Sequence, residues 1–228
     1  KVYMTKKIIA VDLDGTLLNN ESKLSDFTKE TIKKISEKGH HVIITTGRPY
    51  RMAKDFYREL ELHTPMINFN GSLTHLPGQT WEHEKCLTLD KKYLLDMVKR
   101  TEDIQADFIA GEYRKKFYIT TPNEEIADPK LFGVENFRPE NQFKPERVTK
   151  DPNCILLQTR AEDKYALADE MNRFYQHQLA INTWGGPLNI LECTPKGVNK
   201  AFALEYLLNV MNRDKKDLIA FGDEQNDR

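Results

Sequence analysis

Asp12 and Asp14 stand two residues apart in the string Asp12-Leu13-Asp14-Gly15-Thr16-Leu17, directly after an apolar run. Strand alternation would turn both carboxylates to one side and Leu13 to the other. Carboxylates that close repel each other unless a cation or a shared proton lies between them. The pair therefore reads either as part of a metal site or as a solvated Asp-x-Asp-Gly turn. Thr45-Thr46-Gly47-Arg48-Pro49 offers hydroxyls, backbone N–H groups at a helix start and a guanidinium, a set suited to phosphate, although Thr or Gly before a helix is commonly just a cap. Asn70-Gly71-Ser72 adds a polar tip that would also serve as a plain turn. Gly222-Asp223-Glu224-Gln225-Asn226-Asp227 contributes carboxylates and amides near the end of the chain. Lys200 is the cation of this late region whose placement looks deliberate, with Lys196 as its competitor; a lone lysine is ordinarily a solvated surface charge.

The elements that must position these groups follow from the apolar patterning. Ile8 to Val11 is a short apolar run rich in branched residues, the signature of a buried parallel strand. A helix comes next, capped by Ser25 or Asp26, ended by Gly39, and burying Phe27, Ile32 and Ile35. Val42 to Ile44 repeats the strand signal, Tyr50 to Leu60 reads as a second helix, and Met66 to Phe69 as a third strand. Such alternation predicts right-handed crossovers and a doubly wound parallel sheet, which binds ligands at the carboxyl ends of its strands. Each polar cluster sits at such an end or at the start of the next helix. Convergence of acidic groups, a hydroxyl and an ammonium on one sheet edge is what raises the chemical reading above the plain one.

The middle of the chain changes character. A hairpin signal at Pro77-Gly78 precedes a helix near Lys91 to Arg100 and strands near Phe108 to Ala110 and Phe117 to Thr120. After a polar stretch from Pro122 to Pro152 come a strand (Cys154 to Thr159), a helix (Asp163 to Tyr175) and strands at Leu179 to Thr183 and Leu188 to Glu192. This reads as a separate α+β unit. The parallel pattern resumes with a helix from Val198 to Met211, carrying Ala201, Leu204, Leu207, Leu208 and Met211 on one face, and a buried strand from Leu218 to Phe221. The predicted fold is α/β: a core domain of residues 4–80 and 188–228 split by an inserted α+β domain of residues 81–187.

Composition narrows the function. With 34 Lys+Arg against 35 Asp+Glu and a formal charge of -1, the chain lacks the basic footprint of a nucleic-acid binder. No apolar run approaches the roughly 18 to 20 residues that span a bilayer, so no membrane partner is expected and the cytoplasm is the expected location. Cys86, Cys154 and Cys193 lack C-x-x-C spacing and read as free, structural thiols. The six histidines show no metal-ligand spacing on a common helix face and read as structural or surface residues. No G-x-x-x-x-G-K-[ST] string is present, which excludes a Walker-type nucleotide enzyme. A receiver domain would be shorter and would not need the insertion.

In order and spacing, DLDGTLL, TTGRP, NGS, PKGVNKAFAL and FGDEQND resemble the haloacid dehalogenase superfamily, and within it the Cof-type sugar-phosphate phosphatases of subfamily IIB. The insertion falls where that subfamily carries its cap. Ala201 stands where the family usually has Gly after the lysine, and relatives continue past the acidic motif with a helix and at least one more strand. The resemblance implies a Mg2+-dependent phosphatase for small phosphate esters working through an aspartyl phosphate. Asp12 would be the nucleophile and Asp14 the acid and base. Thr46 and Lys200 would hold the transferring oxygens, and Gly47, Arg48, Asn70, Gly71 and Asn226 would line the substrate site. The metal would be held by Asp12, Asp14 through its carbonyl, and Asp223. The cap would close over the substrate and select its leaving group, with Trp184-Gly185-Gly186 and Glu112-Tyr113-Arg114 as its candidate contacts. Two alternatives remain open on the sequence: a phosphomutase of the same fold and a catalytically silent phospho-ligand sensor. Oligomeric state is not encoded in any of these motifs.

Overall fold

The computed structural model describes residues 5–222. Its first strand, β1 (Ile8–Val11), is buried throughout. Ile9 and Val11 enter one apolar cluster while Ile8 and Ala10 enter another, so the continuous run is a strand covered on both faces. Helix α1 (Asp26–Glu37) is capped by the Ser25 side chain, which accepts from the Thr28 N–H. Ile32 is its buried contact, whereas Phe27, expected on the same face, is 78% exposed. Five residues carry Phe27 about 140° around the helix from Ile32, too far to share its face.

Strand β2 (His41–Ile44) lies parallel to β1, with Ile44 beside Val11. The single helix expected over Tyr50 to Leu60 is instead a short 3-10 turn, Tyr50–Met52, followed by α2 (Lys54–Glu59). Ala53, at φ -120°, breaks them, and the Met52 carbonyl accepts from the Arg48 guanidinium at 3.2 Å. β3 (Met66–Asn68) joins the parallel sheet through a bridge between Ile67 and Thr45. The chain then turns back. β4 (Leu73–His75) and β5 (Lys85–Cys86) add in antiparallel fashion, with Pro77-Gly78 in the loop between them.

The second unit begins with α3 (Lys91–Lys99) and α4 (Thr101–Ile104) and continues with β6 (Ala106–Glu112), β7 (Phe117–Ile119), β8 (Cys154–Thr159), α5 (Lys164–Phe174), β9 (Leu179–Thr183) and β10 (Ile190–Pro195). Its strands form one antiparallel sheet in the order β7-β6-β8-β10-β9. Leu94 and Met97 of α3 and Leu167 and Met171 of α5 pack with Ile109, Leu157 and Leu191 of the sheet. Lys164 is buried, and its ammonium donates to the carbonyls of Trp184, Gly186 and Leu188 at 2.7, 3.0 and 2.8 Å, clasping the β9–β10 loop. Tyr113, anticipated as a contact for substrate, is buried and donates to the Lys150 carbonyl; burial and then the neighbouring Tyr118 and Asp151 push its pKa up to about 12.

Helix α6 (Lys200–Val210) returns the chain to the first unit, capped by Asn199, whose side chain accepts from the Phe202 N–H. Ala203, Leu204, Leu207 and Leu208 pack on Ile8, Ala10, Ile43 and Ile67, the sheet face opposite the one covered by α1 and α2. Helices on both faces make this the doubly wound arrangement read from the sequence. The expectation for Ala201 is corrected: it is exposed and Ala203 takes the inward position. β11 (Leu218–Phe221) pairs parallel to β1 on the side away from β2. Expected as buried, it leaves Ile219 and Phe221 41% and 54% exposed, because among the described residues only β1 pairs with it and nothing covers its outer side.

Contacts divide the chain into one unit of Lys1–Cys86 with Val198–Arg228 and another of Leu87–Gly197. The boundary expected at 187/188 moves accordingly. β10 lies between β8 and β9 with both ladders formed, so it belongs to the inserted sheet and not to the core.

Candidate active site

Three loops meet at the carboxyl ends of β1, β2 and β3. Asp12 follows β1, and its backbone N–H donates to the Phe221 carbonyl of β11 at 3.2 Å. One of its carboxylate oxygens accepts from the Leu13 N–H at 2.8 Å. The other lies 3.3 Å from the Lys200 ammonium, with only 5% of the lysine side chain and 9% of the aspartate side chain exposed. A buried charge is costly unless paired, and Lys200 has a further burden. It is the first residue of α6, where the helix dipole is already positive. The start of α6 is thus a place that favours a carboxylate or a phosphate. Lys196, the competing lysine, is exposed and lies in the other unit, and it is Lys200 that meets Asp12.

Asp14 takes a different course from the one alternation predicts. The strand ends at Val11, and Leu13–Leu17 forms one wide turn closed by a 2.8 Å bond from the Leu18 N–H to the Leu13 carbonyl. Leu13 is buried and the Asp14 carboxylate is 55% exposed. Arg48 grips it with both arms: Nε donates to Oδ2 at 2.8 Å and Nη2 to Oδ1 at 2.6 Å. The two acidic side chains therefore do not share one cation among the described residues. Each has its own, Lys200 for Asp12 and Arg48 for Asp14.

The Thr45–Pro49 loop leaves β2 beside β1, with the Thr45 N–H donating to the Val11 carbonyl at 2.8 Å and the Thr46 N–H to the Ile67 carbonyl at 2.9 Å. Thr46 is fully buried, and its hydroxyl oxygen accepts from the Arg48 N–H at 3.0 Å, which leaves its proton to donate. Asn70 returns to this loop by donating its N–H to the Thr46 carbonyl at 3.0 Å. Its side chain lies against Gly47, where an added Cβ would come within 3.0 Å of the amide nitrogen.

Phe69, Asn70 and Gly71 have φ of 50, 53 and 113°, a left-handed turn that costs about 1 to 3 kcal/mol at each non-glycine position. Gly71 explains why it is kept. A Cβ there would stand 2.3 Å from the Asn199 carbonyl, so only glycine lets the turn and the start of α6 come this close. Gly71, expected to line the substrate site, thus seats the helix that carries Lys200.

Sequence reasoning missed three supporting residues. The Asn68 amide donates to the Arg48 carbonyl at 2.9 Å and its oxygen meets His75 Nε2 at 2.7 Å, with the His75 ring edge-on to Tyr50. Asn199 caps α6. For Asn199 a helix-start pattern was readable; Asn68 and His75 carry no local signal, because their partners lie on other elements.

Asp223 and Asn226 lie outside the described residues. So does Asp227. Among the described residues no group of three or more His, Cys, Asp and Glu side chains could hold a metal ion. The donors that are described fit a hard cation nonetheless: a buried carboxylate on Asp12 and the main-chain carbonyl of Asp14 are both oxygen ligands. Phe221, bonded to the Asp12 N–H, stands two residues before Asp223.

The model of the haloacid dehalogenase-like hydrolases matches residues 9–228. Among curated proteins, the 5-amino-6-(5-phospho-D-ribitylamino)uracil phosphatase YitU of Bacillus subtilis (strain 168) is 30% identical over 225 residues, covering 96% of this chain and 81% of that protein. YcsE of the same organism, named for the same activity, is 27% identical over 221 residues, covering 97% and 78%. A solved haloacid dehalogenase-like hydrolase from Bacteroides thetaiotaomicron superposes with a TM-score of 0.77 at 20% identity, covering 98% of this chain and 84% of that one. One from B. subtilis gives 0.77 at 22% identity, covering 97% and 84%. Phosphatases of this kind generally use a divalent metal, and no helix among the described residues is long and apolar enough to cross a membrane. With its doubly wound core, its Asp12–Lys200 pair and a family model matched from β1 to the last residue, the chain belongs to the haloacid dehalogenase-like hydrolases, and its named relatives are phosphatases.

Proposed function

We propose that this chain is a magnesium-dependent phosphatase of small phosphorylated metabolites, sugar phosphates or related esters, acting through an aspartyl phosphate on Asp12. The observation that carries this reading is the buried Lys200–Asp12 pair at 3.3 Å, a carboxylate held at the carboxyl end of β1 beside an ammonium at a helix start. Asp12 attacks phosphorus, forming an O–P bond as the bond to the leaving oxygen breaks, and Asp14 gives that oxygen its proton. Water then attacks the same phosphorus. Asp14 takes its proton, the bond to Asp12 breaks, and inorganic phosphate leaves. Lys200 and the Thr46 hydroxyl hold the non-reacting oxygens, where phosphoryl transfer depends mainly on position and charge. When bound through Asp12, the Asp14 carbonyl and Asp223, magnesium supplies neutralisation of the phosphoryl charge.

The inserted unit is, in this reading, the cap that chooses among leaving groups. The two relatives named for a phosphorylated ribitylaminouracil support including phosphorylated polyols that carry a ring among the substrates tested. The test is a panel of sugar, polyol and nucleotide phosphates assayed for phosphate release with magnesium. Release from at least one alkyl ester that disappears in Asp12→Asn is the expected result. Isomerisation of a hexose phosphate without release would favour a mutase, and tight binding of every ester without turnover a sensor.

A further inference from the structure

The Arg48 side chain is held at several points by the protein itself. Its guanidinium is fixed on three nitrogens: Nε and Nη2 hold the two oxygens of Asp14 at 2.8 and 2.6 Å, and Nη1 holds the Met52 carbonyl at 3.2 Å. The Phe56 ring lies 5.5 Å from its centre. The backbone is tied equally well, the N–H to the Thr46 hydroxyl and the carbonyl to the Asn68 amide and the Phe69 N–H. Asp14, by contrast, is carried on a turn with its side chain half exposed. A rigid fork therefore grips a carboxylate that its own surroundings do not fix.

We infer that Arg48 is the positioning residue for Asp14: its fork sets the plane of the carboxylate, and by releasing one of the two contacts it turns a single oxygen toward the reacting ester while the other stays held. A bidentate guanidinium can do this because its two donors are parallel and it keeps its charge throughout; a lysine, with one point of attachment, fixes no plane. No proton passes to or from Arg48. The inference rests on the acid role assigned to Asp14 in the preceding section. It differs from a phosphate-binding role for Arg48, because a binder would matter equally to every ester.

That difference sets the experiment. In the full chain with magnesium, kcat/KM is measured for p-nitrophenyl phosphate, whose leaving group needs little protonation, and for an alkyl phosphate, whose leaving group needs it. kcat/KM spans only the steps through the first transfer, so the later attack of water does not blur the comparison. Asp14→Asn should lose about 10² to 10⁴-fold on the alkyl ester and far less on the aryl ester. Arg48→Ala should show the same bias, about 10²-fold on the alkyl ester, as expected when a reacting group is misplaced by about 1 Å. Added guanidinium ion should restore part of the alkyl-ester rate alone, and Arg48→Lys, which retains charge and bulk, should stay biased. Equal loss on both esters in Arg48→Ala and Arg48→Lys, beside a biased Asp14→Asn, overturns the inference and leaves the proposed function standing. An unbiased Asp14→Asn overturns the acid role itself and the inference with it.

Discussion

At the scale of single residues, the proposed chemistry rests on two compensated charges. Lys200 and Asp12 are each nearly buried, so removing one takes a close opposite charge from the other in a place water hardly reaches. Lys200→Met should cost about 3 kcal/mol of stability in metal-free buffer, and Asp12→Asn combined with it should recover much of that, because the buried carboxylate charge that Lys200 offsets is gone too. Denaturant melts of the two single variants and the double variant measure the coupling, and an additive cycle would dismiss the pair. Cysteines give a second check. Cys154 and Cys193 are buried, and desolvation followed by the nearby Glu192 pushes both thiols well up, whereas Cys86 is exposed. A thiol reagent should label Cys86 alone in the native protein, the other two reacting only on unfolding.

At the scale of elements, the turn Phe69–Gly71 and the start of α6 form one device. Gly71→Ala adds a Cβ 2.3 Å from the Asn199 carbonyl and keeps an unfavourable φ of 113°. The helix start must withdraw, carrying Lys200 from Asp12. We expect a loss of at least about 1 to 3 kcal/mol in stability and a fall in kcat larger than any change in KM. Steady-state kinetics beside thermal melts would check it, and a variant with unchanged kcat would show that the contact does not position Lys200. The start of β2 carries a pH dependence. Burial, then Arg213 and His40, lowers the pKa of His41 below 6.5. The unfolded chain therefore binds the proton more readily, and stability is lost as pH falls through 6.5 toward the folded value, below which the loss levels off. His41→Gln should flatten the stability profile over that window while leaving it unchanged above pH 7.

At the scale of the whole molecule, the two units differ in how their cores are made. The inserted unit closes its own apolar cluster from Leu89 to Cys193 within a single uninterrupted stretch, and among the described residues its sheet has no strand from elsewhere. A fragment of residues 87–197 should therefore unfold cooperatively by itself, with native-like circular dichroism and no phosphate release. The other unit is assembled from two distant stretches, since β11 pairs with β1 and α6 covers the face of β1 and β2. Its folding has to wait for the late segment, and the Asp12–Lys200 pair, the proposed catalytic one, forms only when the two stretches meet.

Much of this was legible in the residues themselves. The apolar run of β1, the cap at Ser25, the exact strands Cys154–Thr159 and Leu179–Thr183, and the order of the five motifs are all local, set by side-chain period and turn chemistry that neighbouring residues impose. What the tertiary structure alone decided was pairing across distance. That Lys200 and not Lys196 meets Asp12, that Arg48 holds Asp14, that Gly71 serves α6, and that β10 belongs to the inserted sheet each depend on which elements lie side by side. No short window of sequence encodes such contacts, because the free energy that selects them comes from burial and charge compensation between segments remote in the chain.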